Sequence, residues 1–579
     1  MNKKVIGKAI ALLLLGSLLS GCAPEGSGKT DTGTAAGTEA PEPPAPVEEV
    51  NSFGMKTPAE LDVITTDGNS VDGMLAARIL EGVLNGKGAR VYLGPSSEKV
   101  DGVEIETMKR KILTDAGVKL NKMKYDGTFG AEYAAFGALY AKYGGELTGL
   151  FVYDIALPDT ANVAAMMASE QHGAAVSTGL YGLLKEHGCT LPATVITEHC
   201  GFGAGTTSAE INRWIGENMI EGRRRDMVFC LKPDGRSGPT DNRPAAYDLA
   251  AAMNAVIYFV DPRDADSLEA QRLILGQFDD NIPVLGWSGW EVERDYVSTI
   301  SSLGKYVVCI DWGGANFSVW ASFPEYTAEK PVSPIPASCE VTEGNVYVAF
   351  MMSDGDAWHY CSKELLSSWG NKNRGSFPMA WTLPSLFTRF NPLTLRYLYE
   401  TATENDAFLQ GPSGIGYMYP SLYPADAYSG FLEQTRKAIR QAGFTMVNYW
   451  DLSDNNAMTG TNGDLKDQYM IEVDPDALLL GHSSRTGRRE TFGDTVVIEE
   501  VGNYNGAGAR TADDIVNAID TAVKNAKGKT VFLLINVEAW GERLPAVADA
   551  VGRIGLRNDG VNYAFISVPE MVAAIRSLS

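Results

Sequence analysis

Short apolar runs alternate with longer mixed stretches along the chain from about residue 60 onward. Each run is about four to eight residues long and rich in β-branched and aromatic side chains, which is typical of buried strands. The stretches between them, such as 159–170 and 244–253, carry apolar residues at helical spacing. This alternation predicts an α/β protein with parallel sheets. The strands predicted in the first half of the chain are ARVYL, LFVYD, ATVIT, DMVFCL, AVIYFVDP, PVLGW and YVVCIDW.

A second series of eight apolar runs occupies the rest of the chain. Helix-like segments separate several of these runs, for example 432–441 and 512–525. Seven or eight such units in about 240 residues predict a C-terminal (β/α) barrel of seven or eight strands, although a doubly wound open sheet remains an alternative. The eight runs are NVYVAFMM, FPMAWTL, DAFLQG, FTMVNYW, DALLLG, DTVVIEE, TVFLLINV and NYAFISV.

The proline-rich stretch 324–341 separates the two series. It contains four prolines, and such composition is typical of a boundary between domains. We therefore predict an N-terminal α/β region of one to three small parallel-sheet units at 53–335 and the barrel at 340–579. A leader at 1–22 and a disordered tether at 23–52 precede them.

The leader resembles that of a bacterial lipoprotein. Three lysines precede an apolar segment at 9–19 that is too short to span a membrane as a stable helix. The sequence Leu19-Ser20-Gly21-Cys22 then resembles a lipobox, which predicts a lipid on Cys22 and an extracytoplasmic, membrane-anchored protein. An ordinary signal peptide is the alternative. Residues 23–49 hold five prolines and no aromatic residue, as expected of a flexible tether.

The net charge and the cysteine pattern argue against some classes of function. The net charge of -23 argues against a nucleic-acid partner, because phosphate binding needs a basic surface. Six cysteines remain after Cys22, and none forms a C-x-x-C pair. Pairing of Cys189 with Cys200 in an oxidising compartment stays open. The sequence gives no indication of the oligomeric state.

Carboxylates and aromatic rings follow the predicted barrel strands, where the active site of a (β/α) barrel lies. Aromatic rings can stack on sugars, and enzymes that cleave glycosidic bonds usually have a pair of catalytic carboxylates. We predict catalytic roles for Asp354 and Asp356, whose mutual repulsion on an extended chain would raise one pKa, and for Glu538 and Asp451. The side chains after the strands include Asp354, Asp356, His359, Trp381, Asp451, Glu538 and Trp540.

No metal or cofactor is predicted. A metal-dependent deacetylase would require an aspartate with a His-x-x-x-His pair, whereas the C-terminal half contains only His359 and His482. The glycine-rich segments at 201–205 and 506–510 do not match a phosphate-binding loop.

The segment GPSGIGYMYP at 411–420 follows the third barrel run. Its glycines would let the backbone turn sharply and approach a ligand. Tyr417 and Tyr419 alternate, so in an extended stretch both rings share a face. We predict a substrate-facing loop in which Gly414, Gly416 and the two tyrosines bind sugar.

This segment fits G-x-G-Y-x-Y-P and resembles the GxGYxYP family, which is assigned to the glycoside hydrolases. Ser353-Asp354-Gly355-Asp356, Trp381-Thr382 and Asp451 are similar to that family's C-terminal barrel. The earlier half is similar to its N-terminal region at Arg243-Pro244-x-x-Tyr247 and at Gly286-Trp287, so the resemblance covers roughly 55–579.

The resemblance implies hydrolysis of a glycosidic bond in an extracytoplasmic carbohydrate. Trp381, His359 and Glu291 are further predicted substrate-binding residues. For Glu291 to take part, the N-terminal region must lean over the barrel mouth. A non-catalytic carbohydrate-binding lipoprotein is the alternative, and the distance between cleft carboxylates would distinguish the two.

Overall fold

The computed structural model describes residues 50–233, 244–311, 314–451, 463–481, 489–501 and 508–578. Cys22, the tether up to residue 49 and His482 lie outside these described residues. Within them, no helix is both long enough and apolar enough to cross a membrane.

The described residues of the N-terminal region form three small parallel sheets, which confirms the predicted α/β units. The first sheet has the order β2-β1-β5, and a short hairpin, β3-β4, lies beside it. Its elements are β1 (Glu60–Thr65), α1 (Val71–Asn85), β2 (Val91–Gly94), β3 (Lys99–Val100), β4 (Val103–Glu104), α2 (Ile105–Asp115), β5 (Lys119–Lys122) and α3 (Ala134–Tyr143).

The second sheet has the order β7-β6-β8. A capping box begins its last helix, because the hydroxyl of Thr207 accepts from the N–H of Glu210 and the Glu210 carboxylate accepts from Thr207. The elements are β6 (Leu150–Tyr153), α4 (Thr160–Gln171), β7 (Ala174–Ser177), α5 (Thr178–Glu186), β8 (Ala193–Val195), α6 (Ile196–Cys200) and α7 (Ser208–Asn218).

The third sheet has the order β10-β9-β11-β12, and its strands are fully buried apolar runs. Burial on both faces is expected of a parallel sheet covered by helices. The elements are β9 (Val228–Cys230), α8 (Tyr247–Ala252), β10 (Val256–Tyr258), α9 (Ala265–Leu275), β11 (Pro283–Gly286), α10 (Glu293–Ser302), β12 (Tyr306–Val308) and α11 (Phe317–Trp320).

All eight strands predicted for the second half are present. They are β13 (Val346–Met352), β14 (Met379–Leu383), β15 (Asp406–Gln410), β16 (Met446–Tyr449), β17 (Ala477–Leu480), β19 (Thr495–Val501), β20 (Val531–Val537) and β21 (Tyr563–Phe565). One further strand, β18 (Arg489–Phe492), pairs antiparallel with β19. The helices of this half are α12 (Trp358–Cys361), α13 (Glu364–Trp369), α14 (Phe387–Phe390), α15 (Pro392–Glu400), α16 (Ala425–Ala442), α17 (Gly463–Val473), α18 (Ala512–Ala526), α19 (Leu544–Gly555) and α20 (Val568–Arg576).

Seven of these strands close into a parallel barrel in the order β14-β15-β16-β17-β19-β20-β13, and the pairing of β13 with β14 completes the ring. The eighth strand, β21, pairs with the amino-terminal part of β13, whereas β14 pairs with Met351 and Met352 at its other end. The barrel interior is filled by apolar side chains that alternate along the strands, from Tyr347 to Leu534. Helix α20 packs against this interior cluster through Met571 and its neighbours.

Two backbone contacts join the third sheet to loops of the barrel. Val307 of β12 and Tyr417 exchange N–H···O hydrogen bonds of 2.8 Å in each direction. The Trp358 N–H donates to the Cys309 carbonyl at 2.8 Å. The carboxyl end of β12 therefore meets the loops that follow β13 and β15, at the carboxyl end of the barrel, which we call the barrel mouth.

Candidate active site

The loop after β13 brings Asp354 and Asp356 to the barrel mouth in a turn rather than in the extended conformation predicted from sequence. Asp354 has a φ of 67°, in the left-handed region, and its carbonyl accepts from the N–H of Ala357 at 3.1 Å. Gly355 packs on the backbone of β14, where an added Cβ would lie 2.3 Å from the Thr382 carbonyl carbon. The turn therefore requires glycine between the two aspartates.

Both aspartates keep some solvent access, yet the surrounding protein disfavours their charged forms. Burial, followed by the charges of Glu293 and Glu538, raises the pKa of Asp354 to about 7, while hydrogen bonds from Trp540 and Ser353 oppose the shift. Burial and the charge of Asp354 raise the pKa of Asp356 well above its usual range. A carboxyl group that holds a proton near neutral pH can act as a general acid.

Glu293 is a third carboxylate of this cluster, and it comes from the third sheet rather than from the barrel. It is the first residue of α10 and is half-buried. Its Oε1 accepts the hydroxyl of Tyr417 at 2.9 Å. Burial raises the pKa of Glu293, and this hydrogen bond opposes the shift. The N-terminal region thus leans over the barrel mouth, as participation of Glu291 would have required, but the residue it delivers is Glu293.

Tyr417 and Tyr419 are buried, at 2% and 0% exposure, so their rings are not open to stack on a sugar. The Tyr417 ring packs edge-on against Tyr419 and Trp450, and the two hydroxyls lie 3.4 Å apart. The backbone N–H of Tyr419 donates to Ser301 of α10 at 2.9 Å. The contribution of this motif to the site is therefore the Tyr417 hydroxyl, which reaches a cleft carboxylate.

The motif glycines are packed against protein rather than turned toward a ligand. A Cβ on Gly416 would lie 2.3 Å from the Tyr306 ring and 2.8 Å from the Val307 carbonyl oxygen. A Cβ on Gly414 would lie 2.7 Å from the Thr435 hydroxyl. The predicted close approach thus exists, but the neighbours are β12 and α16.

Glu538 and Asp451 already have strong partners. Oε2 of Glu538 accepts from Arg543 Nε at 2.7 Å and from a second nitrogen of the same guanidinium. The Asp451 carboxylate accepts from the N–H and the hydroxyl of Ser421 at 2.8 and 2.9 Å. Glu538 lies close enough to raise the pKa of Asp354, whereas Asp451 anchors the chain that follows the motif.

His359 is neutral and packs against the aromatic ring that lies beside Asp354. Burial lowers the pKa of its imidazole to about 3, and Nδ1 accepts the N–H of Asp311 at 3.2 Å. Its ring stacks on the half-exposed Trp540, with ring centroids 5.3 Å apart. Trp540 is therefore the aromatic ring that the structure places beside Asp354, while His359 orients it.

Two other predicted substrate-binding residues lie away from the cluster. Trp381 is fully buried between the barrel and α13, where it packs on Trp369 and donates to Asp406 at 2.8 Å. Glu291 is exposed, two residues before the carboxylate that reaches the cleft. Neither side chain is brought to Asp354.

The described ranges hold neither a cluster of metal ligands nor a bond between Cys189 and Cys200. They contain no group of three His, Cys, Asp or Glu side chains arranged to hold a metal ion. The thiols of Cys189 and Cys200 are not bonded to each other.

Two family models match the chain. Residues 344–568 match the "GxGYxYP putative glycoside hydrolase C-terminal domain", and residues 225–322 match the "GxGYxYP third domain". The chain belongs to the GxGYxYP family. The two matched segments are the barrel and the third sheet, the parts that together supply Asp354, Asp356, Tyr417 and Glu293.

Solved structures show where this fold recurs. A putative hydrolase from Bacteroides thetaiotaomicron VPI-5482 is similar at a TM-score of 0.74 and 20% identity, covering 91% of this chain and 98% of that one. At this identity the likeness establishes the fold. No curated protein matches the chain.

Weaker similarities to other solved structures cover less than half of this chain. A putative polysaccharide deacetylase from Mycobacterium smegmatis gives a TM-score of 0.28 at 13% identity, covering 44% of this chain and 96% of that one. Puue allantoinase gives 0.30 at 8% identity, covering 42% and 97%. Likenesses of this size support no conclusion about this chain.

Proposed function

We propose that this GxGYxYP protein hydrolyses a glycosidic bond in an extracytoplasmic carbohydrate, with Asp354 as the general acid. The observation that carries the proposal is the environment of Asp354. Its carboxyl group is partly open to solvent at the barrel mouth, and burial among other carboxylates raises its pKa to about 7. Such a group can give a proton to the leaving glycosidic oxygen at neutral pH.

The surroundings of Asp354 suit a sugar. Trp540 stacks on His359 beside it and keeps part of its ring exposed, which offers a flat apolar face for sugar C–H groups. Burial and the charge of Asp354 raise the pKa of Asp356 well above its usual range, and in its protonated form this group can donate a hydrogen bond to a sugar oxygen. The proposed location outside the cytoplasm rests on the lipobox-like Leu19-Ser20-Gly21-Cys22.

The test is a glycan panel with reducing-end detection, applied to residues 50–579. We expect the wild-type protein to release reducing ends and Asp354→Asn to lose at least about 100-fold in kcat. Asp426→Asn, at an exposed aspartate of α16, is the matched control and should keep full activity. Glycan binding without bond cleavage would instead assign the cleft to carbohydrate binding.

A further inference from the structure

The third sheet contributes the carboxylate of Glu293 to the barrel mouth. A general acid needs an ionised partner, which activates water or attacks the anomeric carbon. Four carboxylates are considered as this partner. Asp356, Glu538 and Glu293 are close enough to Asp354 for charge to shift a pKa within the pair, and Asp451 is the further carboxylate predicted from the sequence.

Three of the four are committed elsewhere. Asp356 lies in the same turn as Asp354, two residues away, and burial and the charge of Asp354 raise its pKa. Oε2 of Glu538 faces the Arg543 guanidinium. Both oxygens of Asp451 accept hydrogen bonds from Ser421.

Glu293 differs from these three in both its hydrogen bonding and its position. One oxygen, Oε1, accepts the Tyr417 hydroxyl at 2.9 Å, whereas Oε2 accepts no hydrogen bond from any residue in the described part of the chain. Its side chain is half-buried, so the second oxygen can be reached by a ligand in the cleft. Glu293 also makes the largest charge contribution to the shifted pKa of Asp354, ahead of Glu538.

The backbone around Glu293 holds it rigidly over the barrel. Val307 and Tyr417 exchange two hydrogen bonds, and Ser301 of α10 accepts from the Tyr419 N–H at 2.9 Å. These contacts tie the helix that carries Glu293 to the motif that carries Tyr417. Preorganisation of this kind is what a catalytic pair built on two domains needs.

We infer that Glu293 is the ionised partner of Asp354, so that the catalytic pair is completed by the third sheet and oriented by Tyr417. The inference rests on the proposed glycoside hydrolysis. In that reaction the glycosidic C–O bond breaks and the leaving oxygen takes the Asp354 proton. The oxygen of water ends on the anomeric carbon, and its proton restores the pair.

The experiment compares Glu293→Gln with Asp295→Asn, an exposed acidic residue on the same helix. On any glycan that the wild-type protein cleaves, we expect Glu293→Gln to lose at least about 100-fold in kcat and Asp295→Asn to keep wild-type turnover. Tyr417→Phe keeps the carboxylate and removes its hydrogen bond, and should lower kcat about 10-fold with KM changed less than about 3-fold. Near-wild-type kcat in Glu293→Gln would overturn the inference while leaving the proposed function intact.

A stability cycle needs no substrate and tests the same contact. At pH 8, Glu293→Gln should stabilise the wild-type protein more than it stabilises Asp354→Asn, because the repulsion it relieves exists only when both carboxylates are present. At pH 5 this coupling should shrink, since Asp354 is then protonated. Additive effects at both pH values would overturn the inference. Absence of any hydrolysis by the wild-type protein would overturn the proposed function, and with it the catalytic role of Glu293.

Discussion

Asp354 combines partial solvent access with surroundings that oppose its charge. Its pKa is about 7, against 3.8 for an isolated aspartate. Between these two values the folded state holds a proton that the unfolded chain has lost, so stability falls as pH rises from about 4 to about 7. Above pH 7 the penalty is fully present.

Asp354→Asn should remove this pH dependence. We expect the variant to match the wild-type protein near pH 4 and to exceed its free energy of unfolding above pH 7, by at most about 4 kcal/mol at about 1.4 kcal/mol per pKa unit. Urea denaturation at pH 4.5, 6 and 8 measures the effect, with Asp426→Asn as the control. Parallel pH profiles for wild type and Asp354→Asn would contradict the assigned environment.

The sequence predicts the barrel residues of the site better than it predicts the residues that the rest of the chain brings to them. Asp354 and Asp356 could be selected because an apolar strand delivers them to the barrel mouth. Glu293 could not, because its role depends on how a separate sheet is oriented over the barrel, and Glu291 two residues earlier is equally acidic. Trp381 was selected as a strand-end aromatic ring, but it faces α13 because side chains alternate along β14.

At the scale of elements, the motif loop forms a strand-like backbone contact between the barrel and the third sheet. The segment around Tyr417 pairs with β12, and Gly416 allows this because its Cα faces the Tyr306 ring. A sequence pattern rich in glycine, proline and tyrosine indicates a rigid loop but not its partner, since Val307 lies 110 residues earlier in the chain.

Gly416→Ala should damage this contact. A methyl group 2.3 Å from the Tyr306 ring and 2.8 Å from the Val307 carbonyl forces the two segments apart, and we expect a loss of about 1–3 kcal/mol in unfolding free energy. Gly552→Ala is the control, because Gly552 is an exposed position within α19 with open space around it. Alanine there should stabilise the protein by about 0.5–1 kcal/mol. Equal melting temperatures for wild type and Gly416→Ala would contradict the prediction, because the contact would then accommodate the methyl group without loss of stability.

Strand prediction followed the large apolar side chains of a segment rather than its burial. The seven strands of the closed barrel are fully buried and rich in apolar residues, and the sequence predicts each of them. In the first half, the sequence does not predict β1, β3, β4, β5 and β7. Strand β5 reads KLNK and β7 reads AAVS, and neither carries a β-branched or aromatic run. Pairing with stronger neighbours, such as β5 with β1, makes them strands.

At the scale of the whole molecule, Cys22, which precedes the described residues, is predicted to anchor the protein to a membrane. Replacement of Cys22 by Ser should move the protein from the membrane fraction to the soluble fraction, because the thiol that would carry the lipid is absent. Fractionation of cells followed by immunoblotting measures this. A Ser20→Ala variant controls for general effects on export. Unchanged membrane association of Cys22→Ser would refute lipidation at this position.

The barrel on its own should be less stable than the protein that includes the third sheet. A fragment of residues 340–579 contains Asp354, Asp356 and Tyr417 but lacks β12 and Glu293. Removal of the third sheet leaves the Tyr417 N–H and carbonyl without their β12 partners and exposes Phe431, which packs on the Tyr306 ring. We therefore expect the fragment to bind a hydrophobic dye and to melt at a lower temperature than residues 50–579.

The fragment should also fail to cleave any glycan that residues 50–579 cleave. A structural cause and a catalytic cause can be separated with Glu293→Gln in the longer protein, which keeps the interface and removes only the charge. If the fragment and the Glu293→Gln variant are both inactive and only the fragment binds dye, the third sheet contributes a catalytic carboxylate in addition to stabilising the barrel. A fragment that cleaves glycans at the full rate would show that the barrel holds a complete site, because no residue of the third sheet would then be needed for turnover.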